Sequence, residues 1–191
     1  MTTVSNNQQG RIHPHKFLLW VAMGSIVMMF AGLTSAYIVR SNQANWLQFD
    51  LPGIFGYSTA VIVISSATMH FAVKAFKARE MQRYRRLISL TALLGVVFGV
   101  LQFFGFSYLS NHGVQLLWQG SNPAASFLAI ITGLHILHVL GGIVAIIVFV
   151  LRAYSSRYKS YNIIPVEVVS TYWHFVDILW IYLFIFFSLV H

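Results

Sequence analysis

Two scarcities stand out in this 191-residue chain: it has no cysteine, and only 8% of its residues are charged, 12 Lys plus Arg against 4 Asp plus Glu. Without cysteine there is no disulfide, no iron–sulfur cluster and no thiolate copper or zinc site, so a metal would need His or carboxylate ligands. Soluble domains carry about a quarter charged residues. The polar surface here is too small to face water, and the lipid bilayer is the solvent that fits. There is no P-loop, dinucleotide fingerprint, convincing repeat or low-complexity segment. The net charge of +8 would suit nucleic acid if it formed one basic face, but the basic residues lie between apolar runs, so no nucleic-acid partner is expected.

What the chain does have is long apolar stretches. Of its residues, 58% are hydrophobic and 16% aromatic. At roughly 20 residues per crossing, five stretches are long enough: 17–39, 54–73, 87–108, 126–151 and 166–190. The fold class expected is an all-α integral membrane protein, a single transmembrane domain of five helices spanning residues 1–191. The first stretch exceeds the roughly 7 to 15 apolar residues of a signal core and follows a polar segment, so it reads as a retained helix.

Five crossings gather Arg11, Lys16, Lys74, Lys77, Arg79, Arg83, Arg85, Arg86, Arg152, Arg157 and Lys159 on one side and leave Arg40 opposite. Basic loops stay inside, which predicts a cytoplasmic amino terminus and a periplasmic carboxyl terminus. The segment from Lys74 to Arg86 holds six basic residues and one acid, Glu80. Topology accounts for this loop, and Lys74, Lys77, Arg79, Arg83, Arg85 and Arg86 are also the candidates for an anionic lipid headgroup. On the other side, Trp46 and Phe49 suit an interfacial belt. The loop at 109–125 has no formal charge and is rich in Gly, Asn and Ser. Small residues four apart, Gly95 and Gly99, Gly32 and Ala36, and Gly141 and Ala145, suit close helix packing.

Ionisable groups inside a span are costly, and this singles out His135, His138, His174 and Asp177, with Glu167 at the inner end of the fifth stretch. Within each pair, His135 with His138 and His174 with Asp177, the spacing of three places both on one helix face. No Lys or Arg shares either span. Asp177 must therefore be protonated, paired with a histidine, or hydrogen-bonded to a neighbouring helix. The four groups are expected to bond between the fourth and fifth helices. Three histidines on two helices make a weak ligand set for haem or metal, and a proton relay would need a continuous polar path that the sequence does not display. Interhelical hydrogen bonding is the default. His70, His112, His13, His15 and His191 read as exposed or interfacial, and Ser65, Ser66, Thr68 and Gln102 as ordinary interhelical polar contacts.

The run Tyr172-Trp173-His174-Phe175-Val176-Asp177, followed by Trp180 and Leu183-Phe184, resembles the signature of the cytochrome c oxidase subunit III family and its quinol-oxidase relatives. The stretch Thr132-Gly133-Leu134-His135-Ile136-Leu137-His138-Val139 is similar to the family's Gly-x-His-x-x-His-Val run, and Glu167 stands at the family's spacing before Tyr-Trp-His. Weaker similarity extends through Met28 to Tyr37, through Tyr57-Ser58-Thr59 with Ser65 to Thr68, and through Gly95, Phe98 and Gln102. There are two departures. Ile26 follows Ser25, and Gly105 lies three residues after Gln102, where the family often has acids.

The resemblance implies a short five-helix bacterial form in the cytoplasmic membrane. It implies an accessory subunit with no catalytic, cofactor or metal residues of its own, packed beside oxidase subunits I and II, which carry the haem and copper. A subunit IV, a larger respiratory supercomplex and bound phospholipid fit the same picture. The work implied is to stabilise the catalytic subunit, hold lipid in a helix cleft and favour proton uptake during aerobic respiration. The alternatives are a freestanding proton-coupled transporter and a small haem-binding membrane protein.

Overall fold

The computed structural model describes residues 14–41, 53–111, 123–155 and 163–189. They form five helices: α1 (Pro14–Ser41), α2 (Ile54–Lys77), α3 (Met81–Asn111), α4 (Pro123–Tyr154) and α5 (Ile164–Leu189). Each contains a segment long and apolar enough to cross a membrane, as the apolar runs predict. The helices overrun those runs because hydropathy marks only the part that suits lipid, whereas helical hydrogen bonding continues into water. The largest change is in α3, which starts at Met81 rather than 87 and takes in Arg83, Arg85 and Arg86.

The expected basic loop is therefore a tight turn. Arg79 N–H bonds the Phe76 carbonyl and Glu80 N–H the Ala75 carbonyl, the paired bonds of a Schellman helix end. Arg79 occupies the left-handed position at φ 61°, where glycine is the usual residue. Arg11, His13, Trp46, Phe49, His112, Arg157, Lys159 and His191 lie outside the described residues.

Among the described residues, α2, α3, α4 and α5 form a ring in which each helix packs on the next and α5 returns to α2. From outside the ring, α1 docks on α4 and α5, and among the described residues its backbone makes no close approach to α2. Its buried residues Met23, Phe30, Thr34 and Tyr37 fall on one helical face, and Ile26 packs beside them. The remaining face, with Phe17, Leu18, Trp20 and Met28, is exposed. Together with Phe103, Phe104, Leu137 and Leu151 it forms an apolar exterior suited to acyl chains.

The ring closes around Trp173, which is 1% exposed. A Cβ on Gly95 would lie 2.8 Å from its ring, and one on Gly142 would lie 3.0 Å away, so both glycines serve close approach. Of the predicted small-residue steps, Gly95 is a tight contact, whereas Gly99 and Gly32 have nothing near their Cβ positions. At Gly105 the Phe55 ring would stand 3.1 Å from a Cβ. The space an acid would need there is filled by an aromatic ring.

Candidate functional site

The intramembrane polar residues sort onto two sides of α5. On the α4 side, His135 is fully buried. Its ring stacks on Trp180 at 5.2 Å and meets the edges of Phe98 at 6.2 Å and Phe30 at 6.4 Å. Three helices thus enclose it in aromatic rings, and neither ring nitrogen finds a hydrogen-bond partner among the described residues. His138 turns its Nδ1 to its own helix, 2.7 Å from the Leu134 carbonyl. The link between α4 and α5 comes from elsewhere: Tyr172 Oη donates to the His138 carbonyl at 3.0 Å.

On the α2 side, His174 Nδ1 and the Ser66 hydroxyl share a hydrogen bond of 2.6 Å. The His70 ring stands 6.5 Å from that of His174. Asp177 is 2% exposed; Ser66 lies beside it without closing a bond to either carboxyl oxygen. The expected hydrogen bonding of His135, His138, His174 and Asp177 between α4 and α5 is therefore corrected: the second pair turns to α2. Trp173 and Trp180 make the division, their Nε1 groups donating to Ser65 at 3.2 Å and Thr59 at 2.9 Å. An indole in a dry interior needs such an acceptor, and α2 supplies one to each.

At the end of α5 nearest the α2–α3 turn, Glu167 bridges Lys16 of α1 at 2.9 Å and Lys77 of α2 at 3.0 Å. This ties together two helices whose backbones make no close approach among the described residues. Above the bridge, the gap between α1 and α2 is a cavity of about 530 Å³ floored by α5. Lys74 joins Lys16 and Lys77 at its polar end, and Leu19, Trp20 and Val73 line it. A second cavity, about 330 Å³, holds Ser66, His70, His174 and Asp177 with Val63, Ile178 and Ile181. His70 and His174 line both cavities.

Of the six predicted headgroup residues, only Lys74 and Lys77 reach the larger cavity. Arg83 pairs with Glu80 at 3.2 Å, Arg85 lies over the Tyr154 ring at 5.5 Å, Arg79 makes the turn, and Arg86 is exposed. Sequence reasoning assigned Ser66 and His70 no part in a shared site. Their spacing of four on α2 was the available signal, since it puts both on one face. Among the described residues no group of three or more His, Asp or Glu is gathered closely enough to hold a metal ion.

Five helices long and apolar enough to span a membrane, packed together through a tryptophan-centred α5, define a multi-pass membrane protein. Residues 47–190 match the family described as cytochrome c oxidase subunit III. A protein of Corynebacterium diphtheriae named cytochrome c oxidase subunit 3 is 37% identical over 179 residues, covering 86% of this chain and 85% of its own. A probable cytochrome c oxidase subunit 3 of Nocardia farcinica is 34% identical, with coverages of 87% and 82%. A cytochrome c oxidase subunit 3 of Bacillus is 27% identical, with coverages of 89% and 83%. This chain belongs to the cytochrome c oxidase subunit III family.

Proposed function

We propose that the chain is the accessory third subunit of a haem-copper terminal oxidase in a bacterial cytoplasmic membrane, with its amino terminus inside. It stabilises subunits I and II, which hold the haem and copper, and it contributes to aerobic respiration through the complex rather than by chemistry of its own. The observation that carries this reading is the use made of the Tyr172–Asp177 run. Tyr172, Trp173 and His174 each bond a neighbouring helix of the same chain, so the residues that resemble the family build a scaffold.

The same reading includes bound phospholipid and support of proton uptake. The cavity between α1 and α2 suits an anionic headgroup, with Lys16, Lys74 and Lys77 at its polar end and apolar side chains along its length. Glu167 neutralises part of that charge and fixes where the lysines stand.

Purification in mild detergent through a tag on this chain tests the reading. The expected result is haem-bearing oxidase subunits in stoichiometric amount, a haem absorption spectrum from the sample, and retained anionic phospholipid that falls in a Lys74→Gln, Lys77→Gln variant. Recovery of the chain alone and colourless would overturn the subunit assignment. Substrate-dependent proton movement in vesicles holding only this chain would favour a transporter instead.

A further inference from the structure

We propose that Ser66, His70, His174 and Asp177 form a proton-exchanging inlet, open to the aqueous compartment that faces the α2–α3 turn and closed to the other. The usefulness of such an inlet rests on the oxidase-subunit reading. Its existence does not, and it can be tested in the chain alone.

Helix register sets the four groups at matching depths. From Glu167 at the end of α5, His174 is seven residues along and Asp177 ten, so at 1.5 Å per residue they lie roughly 10 and 15 Å deeper. On α2, counted from Lys77, His70 and Ser66 are seven and eleven residues along, roughly 10 and 16 Å. The two ladders match in depth, and both reach about the middle of a 30 Å hydrocarbon core. The two cavities follow the same ladders: the lysines and Glu167 line the larger, Ser66 and Asp177 line the smaller, and His70 and His174 line both.

Past Asp177 the lining turns apolar, with Val63, Ile178 and Ile181. The next polar atoms on α5, Trp180 Nε1 and Tyr182 Oη, are already bonded to Thr59 and Thr34. A carboxyl 2% exposed with neither oxygen bonded among the described residues, where the polar lining gives out, is placed to take up and release a proton from one side. His174 and Ser66 hand it on, their 2.6 Å bond lying between Asp177 and His70. Among the described residues, the other ionisable groups around α5 include Lys16 and Tyr37 of α1, Lys74 and Lys77 of α2, and His135 and His138 of α4. The lysines stand at the inlet's mouth, and His135 lies across α5 against Trp180.

Infrared difference spectroscopy on the full chain in sealed vesicles tests this. The chain has no native cysteine, so Ser155→Cys with an impermeant maleimide reports independently which face is outward. Raising the external pH should remove a protonated-carboxyl band only when the face bearing the α2–α3 turn is outward. The band should shift with isotope-labelled aspartate and vanish in Asp177→Asn. His70→Phe should keep the helical amide bands and slow the response by about a hundredfold, as expected when a positioned proton-transfer group is lost. The proposal fails if no carboxyl band depends on Asp177, if both faces respond equally, or if His70→Phe responds at the original rate. Because orientation is measured separately, an error in the assumed topology changes which compartment is served without mimicking any of these failures.

Discussion

His135 and His174 lie on adjoining helices within the same apolar bundle, yet their surroundings have almost nothing in common. His135 sits among Trp180, Phe98 and Phe30 with no polar contact. His174 bonds a hydroxyl, borders two cavities and neighbours an acid and a second histidine. An ionisable residue type inside a membrane therefore does not define a site. Its direction around the helix does, and here Trp173 and Trp180 set that direction by taking up the space between the two environments.

Breaking the partition should have the largest effect. Trp173→Ala removes the central ring and its bond to Ser65, and a loss of about 3–5 kcal/mol is expected for truncating a buried tryptophan. Thermal unfolding of the purified complex would show it, and water should then reach the His135 side. Gly142→Val tests the same wall from α4. With its Cβ position 3.0 Å from the Trp173 ring, overpacking should cost about 1–3 kcal/mol, read in the same melt, whereas Gly99→Ala should be silent.

Trp180→Phe keeps an aromatic ring on His135 but drops the bond to Thr59. A loss of about 1 kcal/mol is expected, with faster amide exchange in the carboxyl-terminal half of α5 as a second readout. The smallest effect should come from Glu167→Gln. Its two ion pairs involve lysines that are 41% and 55% exposed, so a loss of about 0.5 kcal/mol is expected. It should appear as faster amide exchange in the first turns of α1 and α5, and high salt should erase the difference from the parent chain.

Hydropathy alone located all five helices, because spanning a bilayer demands long uncharged runs wherever the chain folds. It missed the first turns of α3, where Arg83, Arg85 and Arg86 continue a helix already outside the apolar zone. The residues worth attention, His135, His138, His174, Asp177 and Glu167, were legible for the same reason: each is expensive in or near lipid. Their partners were not. Depth follows from residue count, but which neighbour a side chain faces depends on how the helices pack. That is set by pairs such as Trp173 with Gly95 and Gly142, far apart in sequence. Ser66 and His70 look ordinary until α5 is laid against α2, and the Lys16–Glu167–Lys77 bridge joins three segments that no local pattern connects.

Water-edited nitrogen NMR of histidine-labelled full chain in bilayers tests the partition most directly, since it reads which imidazoles contact mobile water. The two environments predict a strong water-transferred signal from His174 and His70 and none from His135, each assigned by loss of its resonance in a single His→Gln variant. Equal transfer to His135 and His174, or a dry His174, would contradict the account.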